Sequence, residues 1–167
     1  MAATWAWTGK YGTSPGTHIE MAASGNVFNF KTLDSLTNAA DYTSYPITAG
    51  NNSYEVYLRG GFSMGSFNQV NNLQFWQSAG SDTGVGIYWN GQTTAYATPV
   101  TTASSKATAV APTSDPGTAN VSIGGSLAGA LTAAGYSDYI VLQMKTLTTA
   151  AAGDTSTYTF TFQYDEN

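Results

Sequence analysis

Residues 155–164 read Thr155-Ser156-Thr157-Tyr158-Thr159-Phe160-Thr161-Phe162-Gln163-Tyr164. Tyr158, Phe160, Phe162 and Tyr164 fall on one side of this stretch, and Thr157, Thr159, Thr161 and Gln163 on the other. Successive side chains of a strand point to opposite faces, so a period of two marks a half-buried strand. A bare aromatic row at a sheet edge invites edge-to-edge pairing, and the strand is therefore expected at the centre of a sheet. Tyr139 to Leu147 repeats the pattern, with Ile140, Leu142 and Met144 opposed to Val141, Gln143 and Lys145.

The same period recurs upstream. Tyr54, Val56 and Leu58 share one face of a strand, while Glu55, Tyr57 and Arg59 share the other. That second face reads as solvated, and Gly60-Gly61 reads as the stop. Phe67 to Gln77 carries Val70, Leu73, Phe75 and Trp76. Val85 to Trp89 is a strand closed by Asn90-Gly91, a hairpin signal because both central residues of a type I′ turn need positive φ. His18 to Met21 and Asn26 to Lys31 are short strands around Ser24-Gly25. Leu33 to Tyr45 is turn-rich or briefly helical. Gln92 to Asn120 is rich in Thr, Ala, Ser and Pro, which predicts thin strands and long loops with a turn at Ser114-Asp115-Pro116-Gly117. Leu127 to Ala134 is the best candidate for a short helical turn, stopped by Gly135.

About eight strands with almost no helix predict an all-β, two-sheet β-sandwich, jelly-roll-like, with a single domain over 18–167. Residues 1–17 are expected as an extended N-terminal arm. In it Trp5, Trp7 and Tyr11 sit among Ala, Thr, Gly and Pro15. These rings either fold back on their own core or dock on a neighbouring subunit, since Trp and Tyr are frequent interface anchors. Phe75 and Trp76 are adjacent and must face opposite ways, so one of them needs a second burial surface: the other sheet, a neighbour or a ligand. Trp76, Trp89, Tyr88 and Tyr96 form either a sugar-stacking platform or cross-strand packing. The interface candidates are Trp5, Trp7, Tyr11, Trp76 and Trp89.

Charge narrows the function. Only 9% of the residues are charged, against about 25% in an ordinary globular chain. Such a surface is weakly self-repelling and suits a protein packed against neighbours or one placed outside a cell. Net charge is −5 with five Lys plus Arg, so no basic stripe offers itself to nucleic acid or to an anionic membrane. There is no cysteine, which removes disulfides and thiolate metal sites and favours assembly in a reducing cytoplasm. The first residues lack a charged region followed by an apolar one and are not expected to act as a signal peptide. No apolar run approaches the roughly 20 residues of a membrane span.

Catalytic chemistry finds little support. His18 is the single histidine, it lies in a strand beside Glu20, and no Gly-x-Ser-x-Gly elbow accompanies it. Zinc lacks a usual ligand set. A glycosidase needs two carboxylates about 5 to 9.5 Å apart. The candidates are Glu20, Asp34, Asp41, Glu55, Asp82, Asp138 and Glu166. The composition superficially resembles that of small jelly-roll xylanases, but only Glu55 approaches the setting of their glutamates. Asp82, Asp115, Asp138 and Asp154 are isolated, so no Asp-rich calcium loop is present. Gly124-Gly125-Ser126 lacks the lysine of a phosphate loop. No enzyme activity, cofactor or metal is expected.

Three segments carry a resemblance. Val70-Asn71-Asn72-Leu73-Gln74-Phe75-Trp76-Gln77-Ser78-Ala79-Gly80 resembles segments of tailed-phage virion proteins. So does Ile123-Gly124-Gly125-Ser126-Leu127-Ala128-Gly129-Ala130-Leu131-Thr132 with its continuation from Gly135 to Gln143, joined by Ser114-Asp115-Pro116-Gly117. The resemblance implies a small capsid decoration, or cement, protein. Such a protein binds the outer surface of an assembled head, contacts the major capsid protein and is often trimeric. It also implies synthesis in the host cytoplasm and residence in the virion. No residue role carries over position by position. The rival readings are a carbohydrate- or receptor-binding tail-fibre or adhesin module, and a tail-tube or filament subunit.

Overall fold

The computed structural model describes residues 3–21, 28–37, 41–63, 69–151 and 157–167, with backbone alone for 41 and 42. Among them the chain forms β1 (Thr4–Tyr11), β2 (Thr17–Glu20), α1 (Asp41–Ser44), β3 (Val56–Ser63), β4 (Val70–Ala79), β5 (Val85–Thr93), β6 (Ala109–Val110), β7 (Gly135–Tyr136), β8 (Tyr139–Thr146) and β9 (Thr159–Glu166). One sheet has the order β2-β1-β3-β8-β5-β6, with β7 added to β3, and the other is the pair β4-β9. Every pairing is antiparallel. The fold is thus all-β with two sheets packed face to face.

The main core lies between the sheets. Val56, Leu58, Ile87, Trp89, Ile140, Leu142 and Met144 from the large sheet meet Val70, Leu73 and Phe75 from the small one. Phe75 stacks on Phe160 at 5.3 Å and on Trp89 at 5.8 Å. Each such ring buries a large apolar area and adds a favourable ring–ring geometry. β8 is the centre of the large sheet, and Tyr139 to Met144 are all buried. Its outward residues Tyr139 and Val141 enter a second core with Tyr57 and Ala107. Both faces of β8 are therefore covered, which accounts for its nearly unbroken apolar run.

The N-terminal segment corrects the expected arm. Residues 4–11 are β1, held between β2 and β3, with Trp5 opposite Phe62 and Trp7 opposite Gly60. Trp7 lies 5.0 Å from Phe162 and 6.1 Å from Phe75. Two indoles and a row of unpaired backbone groups are satisfied together when the segment joins a sheet.

Four further expectations need correction. β9 is not central: it pairs with β4 in a two-stranded sheet. Its aromatic row is covered face-on by the large sheet, Phe162 lying 5.2 Å from Trp5, so burial does not require flanking strands. Gly60-Gly61 does not stop β3. A Cβ on Gly60 would lie 3.1 Å from the Phe162 ring, and one on Gly61 would lie 3.0 Å from Tyr136 Cε1; the two glycines leave room for an aromatic on each face. Asn90-Gly91 is no hairpin, because β5 runs through it with a register shift. There Asn90 Oδ1 accepts the Gln92 N–H at 2.7 Å, and a Cβ on Gly91 would lie 2.5 Å from the Asn120 carbonyl oxygen. Leu127 to Ala134 forms turns instead of helix. Leu131 and Val70 exchange backbone hydrogen bonds of 2.9 Å in each direction, so the edge of β4 supplies the partners that a helix would have supplied internally.

Other expectations fare differently. The turn at Ser114–Gly117 is present, with Gly117 at φ 67° and its N–H donated to Asp115 Oδ1 at 2.7 Å. Residues 28–31 are not a strand, and the expected starts at Asn26, Phe67 and Thr155 lie outside the described residues.

Candidate interaction surface

The part of the large sheet's outer face around Glu55 and Gln143, expected to be solvated, is roofed by residues 100–107. Glu55 is 4% exposed and Gln143 fully buried. Ser104 donates its hydroxyl to Glu55 Oε1, and Tyr57 donates to Glu55 Oε2 at 3.4 Å. The Ser104 N–H donates to Gln143 Oε1 at 2.9 Å. Gln143 Nε2 reaches the carbonyls of Ser53 (3.0 Å), Thr102 (2.9 Å) and Val100 (3.3 Å). These groups fasten a loop to a sheet, and a buried polar network of this kind is stable only while each member is paired.

Other carboxylates act in the same way. Asp138 Oδ2 accepts the Ser122 hydroxyl at 2.6 Å and the Gly125 N–H at 2.7 Å. Asp34 accepts the Gly12 N–H at 2.7 Å, and burial holds its carboxyl above the ordinary range against the opposing pull of that N–H. Glu166 accepts the Ala3 N–H and Asp82 the Tyr158 hydroxyl. Among the described residues no group of three His, Cys, Asp or Glu could hold a metal ion. The side chain of Asp41 and the whole of Asp154 lie outside the described residues.

The cations lie on tyrosines. Arg59 stands 3.9 Å from the Tyr136 ring and 4.9 Å from Tyr139, Lys145 4.0 Å from Tyr88, Lys10 5.4 Å from Tyr96 and Lys106 5.9 Å from Tyr57. The remaining cation, Lys31, is 1% exposed. Each stacked pair gains from the ring quadrupole and lets the aliphatic stem cover apolar surface.

Burial raises the phenol pKa of Tyr57, with the Glu55 charge and hydrogen bond adding to it; burial likewise raises Tyr96, and Tyr158, whose hydroxyl is held by Asp82. An unfolded tyrosine titrates near 10. Above that pH the unfolded chain sheds protons that the folded one keeps, so the stability these phenols contribute is complete below pH 10 and falls as pH rises. Tyr57 alone is expected to cost up to about 1.4 kcal/mol per pH unit there. Phenolate absorbance followed with near-ultraviolet circular dichroism should show these rings ionising together with loss of tertiary structure. Full ionisation of the native protein would refute this.

On the outer face, small residues make a depression. The cross-strand row Ala6, Gly61 and Tyr136 runs beside the row Thr4 and Ser63. The resulting open groove is about 390 Å³ and is lined by these residues and Glu20, among others. Tyr136 is 42% exposed and has the His18 ring 6.0 Å away. His18 in turn contacts Glu20 Oε1 at 3.0 Å.

The sequence-derived candidates fall elsewhere. Trp5, Trp7 and Tyr11 are partly buried against the domain's own core, and Trp89 is buried in it. Trp76 is half-buried on the other side of β4 from Phe75. Tyr88 and Tyr96 pack on the second core. The platform of Trp76, Trp89, Tyr88 and Tyr96 is thus not one surface. Tyr136 escaped sequence reasoning because it sits in a two-residue strand with no periodicity to reveal its face. Comparison with protein-family models, with curated proteins and with solved structures finds no match.

Proposed function

We propose that this chain is a non-enzymatic virion structural protein, a decoration protein that packs on the outer surface of a tailed-phage head and braces its capsomers. The observation that carries this reading is the disposal of charge. Four of the five cations are stacked on tyrosines and the fifth is buried. A surface on which neutral polar groups outnumber ions, with Val110 62% and Leu147 64% exposed, loses its water more cheaply than an ordinary charged one, because desolvating ions is the large cost of docking. Two of the segments that resemble phage virion proteins also lie together, since Val70 and Leu131 exchange backbone hydrogen bonds. In the same reading the sandwich is jelly-roll-like, the protein is a homotrimer on the head, and its partner is the major capsid protein.

The test is cosedimentation of the purified chain with heads that lack it. Saturable binding is expected, with half-saturation changing less than about threefold between low and high salt, since few charges are there to be screened. Bound heads should melt higher by mass action. Failure to cosediment, or a steep salt dependence, overturns the reading.

A further inference from the structure

We propose that the groove of Tyr136 is a binding site for a neutral pyranose sugar. This goes beyond the role on a shell and does not depend on it. The groove exists because Ala6 and Gly61 are neighbours across β1 and β3 and leave the sheet without side-chain bulk. Tyr136 stands at its side as a fixed plate. Arg59 lies over the ring at 3.9 Å, and the absent Cβ of Gly61 leaves the ring room to lie against the strand. A side chain that is anchored in this way and still 42% exposed presents its accessible ring surface at little entropic cost.

The rim decides the ligand class. Ser63 donates its hydroxyl to the Thr4 carbonyl at 3.1 Å, so the oxygen of this lining residue keeps acceptor capacity only. Glu20 lines the groove and the Arg59 guanidinium lies over the Tyr136 ring, so the two charges offset one another and neither sign of ligand charge is favoured. Acceptors beside an aromatic plate match a molecule with hydroxyl donors around its edge and C–H bonds on its face, which is a pyranose. The groove is also at the small end of the ~300–1,000 Å³ typical of ligand sites, enough for a short saccharide.

The test uses the full-length ¹⁵N-labelled chain titrated with glucose, galactose, mannose, N-acetylglucosamine, maltose, cellobiose and lactose, each to about 50 mM. At least one is expected to give saturable amide shifts over residues 4–8, 61–63 and 134–136, with Kd on the order of 1–10 mM. Tyr136→Ala should weaken that binding more than tenfold, and Tyr136→Phe should hold it within about threefold, because the ring and not the hydroxyl is the platform. Thr4→Trp, at an exposed rim position, should block the groove and serves as the deciding variant if Tyr136→Ala melts early. The proposal is overturned if no sugar produces shifts, if the shifts fall elsewhere, or if Tyr136→Ala and Thr4→Trp both leave binding intact. Concentration-dependent shifts of the same amides without sugar would overturn it in favour of contact between copies.

Discussion

A chain that begins at residue 12 is expected not to fold. Among the described residues β1 is the only strand paired with β2, and it also flanks β3, so its loss strips both of backbone hydrogen bonds. Trp5 and Trp7 leave with it. Phe162, which lies 5.2 and 5.0 Å from those rings, and Phe62 and Tyr164 then face water. Replacing a single core Trp by Ala costs about 3–5 kcal/mol, and a domain of this kind has about 5–15 kcal/mol in all. Trp7→Ala alone should therefore remove about a fifth or more of the stability, and deletion of residues 1–11 should abolish the cooperative transition. Urea unfolding followed by tryptophan emission and far-ultraviolet circular dichroism reads both. A truncated chain that melts cooperatively within about 5 °C of the full one would show that β1 is an appendage.

Gln143→Leu is expected to cost about 3–5 kcal/mol, although the two side chains are close in size. Gln143 is fully buried on the outer side of β8. Its amide holds the carbonyls of Ser53, Val100 and Thr102 and the N–H of Ser104. Leucine would leave those backbone groups buried without partners, and the penalty for each is larger than the net gain of an ordinary hydrogen bond. The damage should be local before it is global. Hydrogen exchange is expected to quicken first at Ser104, Lys106 and Ala107, whose N–H groups are held at Gln143 or at the Ser104 hydroxyl. Equal exchange in the variant and the parent over 100–107, with unchanged urea stability, would show that the roof is held by something else.

The strands whose side chains alternate were legible because period-two patterning is a local property. Tyr139 to Leu147 and the aromatic row from Tyr158 to Tyr164 announce their pairing faces without reference to any partner. Local signals failed where a distant residue changed the meaning of a glycine. Gly60, Gly61 and Gly91 read as punctuation, yet each sits within a strand and makes room for Phe162, Tyr136 or the Asn120 carbonyl. Glu55 read as solvated because nothing near it in sequence foretells a roof whose closest contact, Ser104, lies 49 residues away.

The amino-acid order alone was enough for the all-β class, the scarcity of charge and the main aromatic rows, since these follow from composition and from neighbours a residue or two apart. Long-range packing settled the rest. It made β1 a sheet member, set the aromatic row of β9 against the opposite sheet, placed each of four cations on a tyrosine and opened the groove beside Tyr136. Each of these depends on which segments meet across the sandwich, and the free energy of such meetings belongs to pairs of residues that the chain keeps far apart.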